Sequence, residues 1–83
     1  MKPVRYSKDA IRTLRRMPRP TAEHIPDKVA AYAADPARQA ANVRALTGEP
    51  GVLRLRVGDG CVIFEDGAVI AVIRIGPRGG VYG

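Results

Sequence analysis

Residues Val52 to Tyr82 read VLRLRVGDGCVIFEDGAVIAVIRIGPRGGVY. Leu53, Leu55 and Val57 alternate with Arg54 and Arg56, the period of two that marks a half-buried strand. Asp59-Gly60 and Asp66-Gly67 supply the positive φ angles that a two-residue hairpin turn requires. The stretch therefore predicts three strands joined by two tight hairpins, followed by a glycine-rich tail ending on a tyrosine.

Taking those dipeptides as the loops gives an expected register. Val57 faces Val62, Leu55 faces Phe64 and Arg54 faces Glu65; in the second hairpin Phe64 faces Val69 and Cys61 faces Val72. One face then collects Leu53, Leu55, Val57, Val62, Phe64, Val69, Ala71, Ile73 and Ile75, which is a core. The other collects Arg54, Arg56, Cys61, Ile63, Glu65, Ile70, Val72 and Arg74. A slip of one residue would exchange the faces, so burial is expected to hold the parity.

Outward from this stretch, Val4 and Tyr6 alternate as a short first strand, with Pro3 at its start. Ser7 is placed to cap a helix, and Asp9 lies in the first turn, where the helix dipole favours negative charge. Ala10, Ile11, Leu14 and Met17 form the apolar stripe of that helix, and Pro18 and Pro20 end it. A second helix is expected over Thr21–Ala34, with Ile25, Val29, Tyr32 and Ala33 inward. Pro26 interrupts it, so either the regular helix starts nearer His24 or its first turn is kinked. Asp35-Pro36 stops it, and Ala37–Leu46 reads as a short helix or a loop. The expected class is α+β: a short N-terminal strand, a helical hairpin, then a three-stranded antiparallel meander, with the helices on one sheet face.

The chain has 83 residues and a formal charge of +6. That length points to one domain spanning 1–83, burying roughly 60–65% of its unfolded surface and gaining from any partner that adds to it. The charge favours a nucleic acid, a ribosome or an acidic protein as partner, with a basic surface kept for solubility as the plain alternative. One cysteine makes no internal disulfide and no zinc cluster. The carboxylates show no pairing at ligand spacing, so neither metal nor cofactor is expected. No stretch approaches the ~18 apolar residues of a membrane span, and MKPVRYSKDA has no apolar segment behind its charges, so a cytoplasmic location is expected. His24, the sole histidine, reads as surface. The Gly-Pro-Arg-Gly-Gly run lacks the Lys-Ser/Thr step of a phosphate-binding loop.

What remains is an arginine surface with a tyrosine at its edge. Metal-free RNA cleavage needs an aligned ribose 2′-hydroxyl, stabilisation of the charge growing on phosphate, and proton transfer. Arginine's planar fork suits phosphate oxygens, and tyrosine stacks on exposed bases. The plain alternative for Arg54 and Arg56 is a solvated sheet face, with Arg54 paired to Glu65.

Residues 46–82, LTGEPGVLRLRVGDGCVIFEDGAVIAVIRIGPRGGVY, resemble the RelE/ParE superfamily of bacterial type II toxins, and its RelE branch more closely. Leu46, Gly48, Arg54, Arg56, Gly58, Asp59, Arg78, Val81 and Tyr82 match the family pattern, as do Tyr6-Ser-x-x-Ala10 and Asp35-Pro36. Cys61 stands where an arginine is usual, and Pro77 where a histidine is usual. The resemblance implies a ribosome-dependent endoribonuclease that cuts messenger RNA by 2′-hydroxyl attack and inhibits translation. Arg78 would then be a phosphate or transition-state ligand, Tyr82 an orienting or stacking residue, and Arg56 a third catalytic group. Arg54, Arg56, Arg74 and the position of Cys61 would hold RNA. Arg74 substitutes in part for the arginine missing at Cys61, or activity is weak. The implied partners are messenger RNA, the ribosome and an acidic, partly disordered antitoxin. Other toxins of the superfamily act on DNA gyrase, so the alternative is a non-catalytic gyrase inhibitor or antitoxin-binding module.

Overall fold

The computed structural model describes residues 2–46, 48–58 and 60–77, with Pro77 described by its backbone alone. The chain begins with β1 (Val4–Tyr6), then α1 (Lys8–Arg16) and α2 (Arg19–Ala34). A 3-10 helix over Pro36–Asn42 leads into β2 (Val43–Ala45), β3 (Val52–Val57), β4 (Gly60–Asp66) and β5 (Ile70–Pro77). The strands form one sheet in the order β1-β5-β4-β3-β2. β1 runs parallel to β5, and the other neighbours are antiparallel. The α+β class expected from the sequence is the one observed. The meander has four strands rather than three, because Val43–Ala45 adds β2 where a short helix or loop was expected.

The helix boundaries follow from proline chemistry. Met17 is extended (φ −79°, ψ 152°), the conformation imposed on a residue before proline, and α1 stops there. α2 then starts at Arg19, earlier than the expected Thr21, because Pro20 sits in the first turn, where no amide donor is needed. Pro26 is accommodated inside the helix as an exposed residue; it lacks the amide that would reach the Ala22 carbonyl, yet α2 runs through it. Ile25, Val29, Tyr32 and Ala33 are all buried, as their spacing requires. On α1, Ala10 is fully buried and Leu14 and Met17 pack at the core's edge, but Ile11 is 40% exposed and leaves the expected stripe.

Both hairpins differ from the expected register. β3 and β4 close at Val57↔Gly60, so the first turn is Gly58-Asp59 rather than Asp59-Gly60. Gly58 supplies the positive φ of 57°; Asp59 lies outside the described residues. Leu55 now faces Val62 and Arg54 faces Ile63, two positions from expectation, so each side chain keeps its face. Arg54 is consequently not opposite Glu65, which faces Val52. The second hairpin closes at Asp66↔Ile70 around residues 67–69, not at Asp66-Gly67. The Asp66 carboxylate is occupied by the Tyr32 hydroxyl and the Lys2 ammonium, which hold residue 66 in the strand.

That longer loop shifts the register by an odd step and turns Ile70 and Val72 into the core, each 1% exposed, while Val69 and Ala71 move out of it. A bulge at Ile73 then adds one residue between the pairs Phe64↔Val72 and Ile63↔Arg74. Beyond the bulge the parity returns to the expected one. Ile75 is buried and Arg74 shares a face with Ile63, but Ile73, expected in the core, is 37% exposed.

Candidate functional site: an arginine face on the sheet

The helices and the core cluster occupy one side of the sheet, with Leu55, Val57, Val62, Phe64, Ile70, Val72 and Ile75 facing Ala10, Ile25, Val29 and Tyr32. Tyr32 meets Phe64 edge-on, with ring centroids 4.9 Å apart. The opposite side carries the arginines. Pairing aligns Arg44 with Arg54, Arg54 with Ile63, and Ile63 with Arg74, which makes one row across four strands. The next row is Arg56, Cys61 and Gly76. A third holds Val52, Glu65, Ala71 and Arg5.

Cys61 and Ile63 are each 1% exposed yet lie outside the helix-side core. They form an apolar floor set among the arginine positions, with Ile63 between Arg54 and Arg74 and Cys61 opposite Arg56. Arg54 is half-buried, whereas Arg44, Arg56 and Arg74 are exposed. Glu65 is the one carboxylate that the described strands carry on this face, so positive charge dominates it. Among the described residues, Lys2 pairs with Asp66 and Arg12 with Asp9, and neither ion pair lies on this face.

Of the sequence-predicted site residues, Arg54, Arg56, Arg74 and Cys61 come together on this surface. Arg78 and Tyr82 lie outside the described residues. Cys61 contributes a buried thiol beside Arg56 and opposite Gly76, and a thiol offers no charged fork to a phosphate. His24 is exposed on the helical side and lines a shallow cleft with Thr21, Lys28, Val57 and Gly58, away from the arginines. Sequence reasoning missed Arg44. Its only trace was the three-residue alternation Val43-Arg44-Ala45, too short to stand out from the helical spacing of Ala40, Val43 and Leu46. Among the described residues no group of three His, Cys, Asp or Glu is placed to hold a metal ion, and no helix is long and apolar enough to cross a membrane.

Several solved structures share this fold. RelE in the RelE–RelB complex of Pyrococcus horikoshii is 24% identical, with a TM-score of 0.78 over 95% of this chain and 97% of that one. The toxin–antitoxin complex RelBE2 of Mycobacterium tuberculosis gives 18% identity and 0.78 over 93% and 98%. Isolated RelE of E. coli gives 18% identity and 0.77 over 99% and 92%. At these identities the likeness concerns the fold. No curated protein matches the chain. The family model described as "ParE toxin of type II toxin-antitoxin system, parDE" matches residues 4–82, nearly the whole chain. With that match and the shared fold, the chain belongs to the RelE/ParE superfamily of type II toxins.

Proposed function

We propose that this toxin is a metal-independent endoribonuclease that cuts messenger RNA on the ribosome in the cytoplasm and is neutralised by an acidic antitoxin. The observation that carries this is the gathering of Arg54, Arg56 and Arg74 on the sheet face that the helices leave open. A guanidinium array over an apolar floor suits a phosphodiester, because arginine keeps its charge and binds two oxygens at once. In the proposed step the ribose 2′-oxygen bonds to phosphorus as the bond to the 5′-oxygen breaks. The 2′-proton passes to a base, and the leaving oxygen takes up a proton. The products carry a 2′,3′-cyclic phosphate and a free 5′-hydroxyl. Arg56 and Arg78 stabilise the charge on the phosphate oxygens, Arg54 and Arg74 hold the strand, and Tyr82 orients or stacks a base. Two of the solved relatives are complexes with antitoxins, which supports such a partner here. The +6 charge would speed its association at low salt and slow it as salt rises.

A second function has its own support. The family model is that of ParE toxins, and the buried Cys61 stands where the RelE pattern has an arginine. These favour a non-catalytic inhibitor of DNA gyrase. Purified toxin added to a translating extract and to a supercoiling assay separates the two. Message with new cyclic-phosphate ends supports the nuclease, whereas intact message with blocked supercoiling supports the inhibitor.

A further inference from the structure

β2 is a three-residue edge strand, and its central residue stands directly opposite Arg54. Residues opposed in this way project to the same face with Cβ atoms about 5 Å apart, and like charges there destabilise the pair. A charge on an edge strand also deters edge-to-edge pairing, but a glutamate would do that equally and would attract Arg54 as well. Glu65, the carboxylate that the described strands carry on this face, lies a row away, opposite Val52. Arg44 is exposed and forms no ion pair among the described residues. The Arg44–Arg54–Ile63–Arg74 row crosses four strands, about 14 Å at the usual ~4.8 Å spacing. That span covers about four nucleotides of stacked single strand, given a rise of about 3.4 Å.

We propose that Arg44 is a binding residue of this face, neutralising a backbone phosphate of single-stranded RNA that lies across β2, β3 and β5. The proposal rests on the nuclease function above and adds an anchor on the edge strand, at the far end of the row from Arg74.

The test uses the full chain and a labelled 2′-O-methyl RNA oligonucleotide, which binds without being cut. Arg44→Ala should weaken binding roughly three- to tenfold and lower the slope of log affinity against log salt by about 0.7. Arg15→Ala removes the same charge from exposed α1 on the helical side and should leave that slope unchanged. Arg44→Glu should raise the melting temperature, through attraction to Arg54, while weakening binding further. A gain in stability with a loss of binding is not what a purely structural residue produces. Wild-type affinity and slope in Arg44→Ala, with both reduced in Arg54→Ala, would overturn the proposal and leave the RNA face intact. Equal losses in Arg15→Ala and Arg44→Ala would reduce the effect to net charge and overturn it too. If neither Arg44→Ala nor Arg54→Ala matters, or the wild type binds no RNA at low salt, the RNA assignment of the face fails and the proposal with it.

Discussion

The Ser7 hydroxyl donates a 2.6 Å hydrogen bond to the Ile73 carbonyl, while the same oxygen accepts the Ala10 amide at 3.0 Å. The Ser7 amide also reaches the Val72 carbonyl at 2.9 Å. One residue thus caps α1 and clamps the bulge in β5. The clamp bears on the arginine face, because the bulge returns Arg74 to the side of Arg54 and Arg56.

Replacing Ser7 with alanine should lower unfolding stability by about 1–2 kcal/mol, from a lost N-cap and an orphaned strand carbonyl. Urea denaturation should show the midpoint fall with the slope unchanged. Faster amide exchange around Ala10 and Arg74 should accompany it. Wild-type stability in this variant would mean that the bulge does not depend on Ser7.

Ile70 and Ile73 test the register with the same chemical change. Ile70 is 1% exposed in the core and Ile73 is 37% exposed at the bulge. Ile70→Ala should therefore lose about 2–4 kcal/mol and Ile73→Ala less than about 1 kcal/mol. A regular hairpin around Asp66-Gly67 would reverse that order.

Stability should fall at both ends of the pH range through one contact. The Tyr32 hydroxyl donates to Asp66 Oδ2 at 2.7 Å, and Lys2 pairs with the other carboxylate oxygen. Burial, with the hydrogen bond to Asp66 added, pushes the Tyr32 phenol up to about 12. Bonds from Lys2 and then Tyr32 hold Asp66 below its ordinary 3.8. The raised phenol contributes stability that is complete below pH 10 and is lost as pH climbs toward 12. The depressed carboxylate contributes stability that is present above pH 3.8 and is lost as pH drops through its folded value. Tyr32→Phe should cost about 1 kcal/mol at neutral pH and flatten the alkaline limb. Tyr6, also raised by burial, acts on the alkaline limb in the same direction. An unchanged alkaline limb in chemical-denaturation midpoints measured across pH would rule this pair out.

Cys61, at 1% exposure, should react with a disulfide reagent only as fast as the protein opens, and at once in denaturant. Cys61→Arg introduces bulk and charge on the apolar floor and should lose about 1–3 kcal/mol. Under the nuclease function it should nonetheless raise RNA cleavage, up to about 100-fold, by adding a charge contact at the transition state. A folded variant with no gain in a sensitive cleavage assay would count against the placement of the site.

Much of the fold could be read along the chain because its causes are local. The alternation of Val52–Val57, the cap at Ser7, the stripe from Ile25 to Ala33 and the prolines at 18 and 20 each act within a few residues. They set the α+β class and placed Arg54 and Arg56 together, since a strand's period of two fixes their shared face whatever the turn. The register had other causes. Asp-Gly pairs favour tight turns, but Asp66 is held in its strand by Tyr32 and Lys2, 34 and 64 positions away. β2 exists because Val43 and Ala45 find Leu55 and Leu53 across a sheet that must already be there. The place of Arg74 depended on a three-residue loop and a bulge that together restore parity, the bulge being clamped from β5's far neighbour in sequence, Ser7. Local periodicity determined which residues share a face within each strand; only tertiary contacts, which repay loop closure by burial and hydrogen bonding, decided how the strands align into one arginine surface.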